Sequence, residues 1–159
     1  MNKIKTCLWF DGDVEAAANF YIGLFPDSRL IELSRYPDGD DGTPGAALVA
    51  NMELDGYELM LLNGGPHYAL SPAASLVISC SSQDEVDHYW DQLVEGGAPS
   101  QCGWLTDRFG VSWQIVPTRL GELMSDPDSA KSGRVMQAML QMVKLDIPTL
   151  EAAHRSDQA

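Results

Sequence analysis

Hydrophobic and polar positions along the chain alternate between two periods, and the switches between them outline its elements. Ile4 to Phe10 is a compact apolar run with an aromatic end, too short for a helix, and predicts a buried strand. Asp11-Gly12-Asp13 breaks it, with Asp13 placed as a helix N-cap. From Val14 to Phe25 the apolar residues Ala17, Phe20, Tyr21, Leu24 and Phe25 recur at helical spacing until Pro26-Asp27. Arg29 to Tyr36 alternates as a half-exposed strand does. Ala46 to Leu54 and Tyr57 to Asn63 form a hairpin around Asp55-Gly56, a two-residue turn signal.

The pattern then starts again. Ala74 to Cys80 predicts a strand, and Ser82 with Glu85 makes a capping box ahead of a helix over Gln83 to Glu95, ended by Gly96-Gly97. A short strand near Pro99 to Gln101 leads into a second hairpin. Its arms are Trp104-Leu105 and Val111 to Val116, and its turn is Asp107-Arg108-Phe109-Gly110. In the second arm Val111, Trp113 and Ile115 share one face, and Ser112, Gln114 and Val116 the other. An amide among such neighbours needs hydrogen-bond partners or a ligand, which singles out Gln114.

Aligning the two helices lays Asn19-Phe20-Tyr21 over His88-Tyr89-Trp90, a shift of about 69 residues. The same shift lays Thr6, Leu8 and Phe10 over Ser75, Val77 and Ser79, and a second registration from Gly56 onto Gly110 lays Met60 over Gln114. The chain therefore reads as a single α+β domain: a duplicated strand–helix–strand–strand–strand unit, with modules at about 1–66 and 72–117 and a helical tail over 118–159. In the tail Asp126 is placed as the cap of a helix with Pro127 in its first turn. Val135, Met136, Met139, Leu140 and Met142 give that helix an adaptable apolar stripe, and a short helix over Pro148 to Ala153 follows. The tail docks on the chain's own sheet or on a second subunit.

Bulk properties narrow the functions. The 159 residues are 45% apolar and 21% charged, ordinary for a globular protein, with a net charge of −13. Ten scattered Lys and Arg cannot track a phosphate backbone, so nucleic acid is excluded as a partner. No apolar run approaches the length of a membrane span and no signal-peptide core is visible near Met1, so no membrane partner and a cytoplasmic location are expected. Cys7, Cys80 and Cys102 show no C-x-x-C spacing, which argues against a disulfide framework or a zinc site.

The remaining motifs carry little chemistry. Pro37 to Pro44 is acidic and turn-rich but lacks the order of a calcium loop, and reads as solvated. Gly64-Gly65 has no following helix or Lys-Ser/Thr and is not a phosphate loop. Glu58, at the parity of Met60, is a candidate general base but fits an exposed strand carboxylate better. Cys102 has no basic neighbour in sequence and reads as structural.

Five stretches resemble a known family: L-W-F-D-G at Leu8 to Gly12, L-N-G-G-P at Leu62 to Pro66, V-D-x-Y-W at Val86 to Trp90, C-G-W-L-x-D-x-x-G-x-S-W-Q-I-V-P at Cys102 to Pro117, and R-V-M-Q-A-M-L-Q-M at Arg134 to Met142. Together they look like the PhnB-like branch of the vicinal oxygen chelate (glyoxalase/bleomycin-resistance/dioxygenase) superfamily. The resemblance implies paired βαβββ modules forming a cupped mixed sheet, with C-terminal helices, and a homodimer. It also implies a divalent metal held by His or Glu on the first and last strands of each module. Carried over, those positions fall on Thr6, Met60, Ser75 and Gln114: two hydroxyls, a thioether and one amide, which do not suit zinc, nickel or iron. No metal and no other cofactor are expected.

Some members carry a 3-demethylubiquinone-9 3-methyltransferase label. The chain lacks the Gly-rich strand-to-helix turn that often binds S-adenosylmethionine, so the label reads as a misnomer. The expected function is binding of a small organic molecule in a metal-free cup lined by Thr6, Leu8, Met60, Ser75, Trp104 and Gln114. The alternative is a metal-dependent lyase, isomerase or dioxygenase of the superfamily type. A third reading gives the Met-rich tail an interaction role.

Overall fold

The computed structural model of the chain describes residues 3–37 and 43–156. The acidic stretch read as a solvated loop falls largely on 38–42, outside the described residues. The chain divides into two compact units, Met1–Leu70 and Ser71–Ala159.

The first unit contains β1 (Thr6–Phe10), α1 (Val14–Leu24), β2 (Arg29–Arg35), β3 (Ala47–Leu54) and β4 (Tyr57–Asn63). Its mixed sheet has the order β1-β4-β3-β2, with β1 parallel to β4 and the other pairs antiparallel. Helix α1 packs mainly on β3. Its Val14, Ala17, Ala18 and Tyr21 are buried, as are Leu8, Phe10, Ala50, Met52, Leu59 and Leu61 of one sheet face. Burial of each Leu there contributes about 1.5–3 kcal/mol. Asp13 precedes α1 in the left-handed conformation, φ 53°, and its side chain makes no cap; its carbonyl accepts from Ala17 instead. The expected Asp13 side-chain cap is therefore absent.

The second unit repeats the plan with β5 (Leu76–Cys80), α2 (Gln83–Val94), β6 (Ala98–Pro99), β7 (Trp104–Thr106) and β8 (Ser112–Pro117), in the order β5-β8-β7-β6. Ser82 caps α2 by accepting from the Glu85 backbone N–H, while Glu85 reaches back to the N–H and hydroxyl of Ser81. The short strand expected near 99–101 is observed at Ala98–Pro99. In the hairpin turn, buried Asp107 accepts from Phe109 N–H (2.9 Å) and Val111 N–H (3.0 Å) through Oδ1, and from Trp113 Nε1 (2.8 Å) through Oδ2.

Three tail helices, α3 (Thr118–Met124), α4 (Ser129–Leu140) and α5 (Ile147–Arg155), belong to this second unit. Leu123, Val135 and Leu150 form their core, with Met139 and Met142 packed against it. The cap of α4 is Asp128, which accepts from Ala130 N–H; Asp126, the expected cap, instead pairs with His154 at 2.8 Å. Between α4 and α5 the chain clips onto the hairpin and α2. Cys102 N–H and Gly103 N–H donate to the carbonyls of Met142 (2.8 Å) and Val143 (2.7 Å). Gln83 bonds Leu145 O and Ile147 N, and Lys144 pairs with Asp87 at 2.8 Å. Gly103 sits at φ +82°, where a Cβ would lie 2.7 Å from Ile115 O and 3.0 Å from the buried Leu145 side chain. The tail thus docks in cis.

Candidate functional site

Each sheet has one face covered by its helix and one that is not, and register decides which residues occupy the second. In the second unit Gln114 lies between Val77 of β5 and Trp104 of β7. Side chains of directly paired residues share a face, so Ser75, Val77, Ser79, Trp104, Gln114 and Val116 lie together, opposite the buried Cys80, Leu105, Trp113 and Ile115. Gln114 Nε2 donates to Ser75 Oγ at 2.9 Å. Among the described residues the amide oxygen of Gln114 has no hydrogen-bond partner, and beside it Val77 is 56% exposed. The expected grouping of Ser75, Trp104 and Gln114 is present.

In the first unit the expected grouping is not. Met60 pairs with Cys7 and Asn51, whereas Thr6 pairs with Leu59 and Leu8 with Leu61. Thr6 and Leu8 therefore point to the helix-covered side, where Leu8 is only 8% exposed and Thr6 Oγ1 bonds Tyr57 OH at 2.7 Å. The uncovered face carries Cys7, Trp9, Asn51, Glu58, Met60 and Leu62. The reason is a single residue. Two residues, Asp11 and Gly12, separate β1 from the Asp13 cap position; only Ser81 separates β5 from Ser82. A shift that aligns the helices consequently misaligns the strands by one, and one residue of slip exchanges the faces of a strand. Cys7, not Leu8, is the counterpart of Val77, while Met60 remains the counterpart of Gln114.

The uncovered face of the first sheet is polar at one end. Lys5 Nζ donates to Asn51 Oδ1 at 2.7 Å, and Glu58 lies opposite Glu53, which pairs with Arg29 at 3.1 Å. Partial burial raises the Cys7 thiol pKa, and the Lys5 charge opposes that rise. At the other end Trp9 is clamped: its Nε1 donates to Gly65 O at 2.7 Å and its ring meets Tyr68 edge-on at 5.0 Å. Gly64 lies flat against it, and a Cβ there would sit 2.2 Å from the Trp9 ring. Asn63 accepts from Gly12 N–H and donates to Ala47 O. These contacts explain why L-W-F-D-G and L-N-G-G-P occur together.

The donors at the positions carried over for the superfamily's divalent metal do not fit it. A thiol beside a thioether in one sheet, and an amide beside a valine in the other, are not the imidazoles and carboxylates that such a cation takes; the carboxylates of the first face, Glu32, Glu53 and Glu58, stand at other positions. Among the described residues no group of three or more His, Cys, Asp or Glu is placed to hold a metal ion. His88 lies on α2 and His154 on α5 against Asp126. Cys102 is held in the clip, its Sγ 3.6 Å from Met139 O. Open clefts of about 600 Å³ lie between α4 and α5 around Arg134 and Gln137, and at the start of α1 around Asp13 and Asn63; neither is lined by residues expected to bind a ligand. No helix among the described residues is long and apolar enough to cross a membrane.

The fold and motifs agree with known proteins. No curated protein matches the chain. Among solved structures, a PhnB protein from Bacillus cereus, provisionally labelled a 3-demethylubiquinone-9 3-methyltransferase, is 33% identical over 74% of this chain and 100% of its own, with a TM-score of 0.69. Protein PA1353 from Pseudomonas aeruginosa is 20% identical over 74% of this chain and 98% of its own, at a TM-score of 0.62. The fosfomycin resistance protein FosX from Listeria monocytogenes shares the fold, at 13% identity over 77% of this chain and 97% of its own and a TM-score of 0.52. The family model described as 3-demethylubiquinone-9 3-methyltransferase matches residues 2–116, ending before α3. With both βαβββ modules and the motif-bearing residues in place, the chain belongs to that family, the PhnB-like branch of the vicinal oxygen chelate superfamily.

Proposed function

We propose that the chain binds a small organic molecule against an uncovered sheet face, without a metal ion. One observation carries this reading: the Gln114 amide, held by Ser75 at 2.9 Å, lies on the same face as Trp104 and the exposed Val77. Apolar surface around a few positioned polar atoms is the usual composition of a ligand site. Met60 and Trp104 stay in the proposed set from their places on the uncovered faces, and Cys7 and Trp9 replace Thr6 and Leu8. Glu58 shares the face of Met60, opposite Glu53, and we read it as an ordinary strand carboxylate.

A thermal-shift screen with aromatic and peptide-like compounds tests the reading. A ligand at 100 times its Kd should add about 2.7 kcal/mol of stability, and Trp104→Ala should abolish that gain. A screen with no stabilising compound would sink it. The metal-free part predicts less than about a tenth of an equivalent of bound divalent metal in purified protein, because the donors at the carried-over positions do not suit one. A full equivalent would restore the lyase, isomerase or dioxygenase alternative. We read the methyltransferase label as a misnomer, so calorimetry should detect no binding of S-adenosylmethionine. A homodimer is part of the proposal, and its mass in solution is the test.

A further inference from the structure

We propose that the molecule bound on the uncovered face of the second sheet is electrically neutral: a flat apolar body bearing an amide, hydroxyl or carbonyl, and not a carboxylate, phosphate or ammonium compound. This rests on the binding reading above and assigns the ligand class to one of its faces. Strands β5, β6, β7 and β8 contain no charged residue, whereas the first sheet carries Arg29, Glu32, Arg35, Glu53 and Glu58. The polar side chains on the second face are those of Ser75, Ser79, Thr106, Gln114 and the buried Ser112, all uncharged, and the area between them belongs to Val77, Trp104 and Val116.

An anion placed there would lose water and gain no cation, and its cost of burial would go uncompensated. The backbone N–H groups of β8 do not substitute, because β8 is paired on both sides. The net charge of −13 adds a repulsive field. A cation would find no carboxylate on the sheet to pair with. A neutral amide or hydroxyl, by contrast, meets the Gln114 amide in either of its two orientations. The Ser75 hydroxyl can both give and accept a hydrogen bond, so the Gln114 group exposes an acceptor or a donor but never a charge. The Trp104 ring supplies the flat surface.

The test uses the 15N-labelled full chain and compounds that share a ring but differ in charge: benzamide, benzoate and benzylamine, then indole-3-acetamide, indole-3-acetate and tryptamine. Titrations at about 0.3 M salt shorten the screening length to about 6 Å and suppress the net-charge field. The amides should bind about tenfold more tightly than the matched carboxylates and amines, and should shift the Gln114 side-chain amide and Trp104 indole signals. Gln114→Leu should weaken the amides by about tenfold, the size of one hydrogen bond lost from a buried partner. Equal or tighter binding of a carboxylate or amine at Trp104 overturns the charge assignment alone. If no compound of any charge shifts either sheet's uncovered face, the binding reading itself falls.

Discussion

The two modules share one strand order and differ in what supports them. The first is braced from within, by Trp9 clamped between Gly64-Gly65 and Tyr68 and by Asn63 tying β4 to Gly12 and Ala47. The second is braced by chain that lies beyond the repeat: the Met142–Ile147 segment bonds to Cys102, Gly103 and Gln83, and buries Leu145. Their uncovered faces diverge too, the first charged and sulfur-bearing, the second without charge. A duplicated fold conserves the hydrophobic faces that pack sheet on helix, while the opposite faces are released from that demand and acquire different chemistry.

Substitutions can break this comparison one support at a time. The largest effect should come from Asp107→Ala, which strips two backbone N–H groups and the Trp113 indole of their acceptor in a buried turn. A loss of about 4 kcal/mol is expected from urea unfolding, since each hydrogen bond to a charged group contributes about 1.5–3 kcal/mol. A loss below about 1 kcal/mol would remove Asp107 as the hairpin's anchor. Leu145→Ala should cost about 3 kcal/mol through the cavity it leaves. Hydrogen exchange should then rise in α2, β7 and β8 and leave β1 and β4 unchanged; uniform loosening would contradict a support local to the second module.

Gly64→Ala is the mirror experiment in the first module. The new methyl would overlap the Trp9 ring, so a cost of about 2 kcal/mol and a shift in Trp fluorescence are expected. Unchanged fluorescence would mean that the clamp is not where Trp9 is held.

The thiols separate the modules by pH. Burial, with the Glu85 charge adding to it, pushes the Cys80 pKa up to about 11 from an ordinary value of 9.0. Between about pH 9 and 11 the folded chain keeps a proton that the unfolded chain has lost, so stability should fall as pH rises through that window. Cys80→Ala should flatten that slope. Exposed Cys7 should react first with a disulfide reagent near neutral pH, with Cys80 unreactive until unfolding. The smallest stability change, under about 1 kcal/mol, belongs to Gln114→Leu, whose single bond to Ser75 lies on the uncovered face. A large loss there would make Gln114 a structural fixture rather than a ligand contact.

Much of this was legible in the chain. Alternation placed Val111, Trp113 and Ile115 on one face and Gln114 on the other, and Tyr57–Asn63 was bounded correctly by its turn residues. The spacing of Ser82 and Glu85 located the start of α2. The capping residues of α1 and α4 were harder. Asp13 holds the cap position of α1 but, in a left-handed conformation, makes no side-chain cap; at α4 the capping carboxylate is Asp128, while Asp126 is drawn to His154. Asp107 was hidden because a turn Asp ordinarily faces water, and only the closed hairpin brings Trp113 Nε1 to it.

What the sequence determined by itself was local and periodic: which residues alternate, where turns interrupt them, and that the strand–helix–strand–strand–strand pattern occurs twice. Those features follow from side-chain spacing along one segment, which needs no partner to be read. Tertiary structure alone decided which face of β1 its helix covers. The extra residue between Phe10 and the Asp13 cap position is absorbed by two left-handed conformations, φ 85° at Gly12 and 53° at Asp13, and leaves no mark on the hydrophobic period. It moves Thr6 and Leu8 inward and brings Cys7 and Trp9 beside Met60 and Leu62, because a strand's two faces are distinguished only by what packs against them.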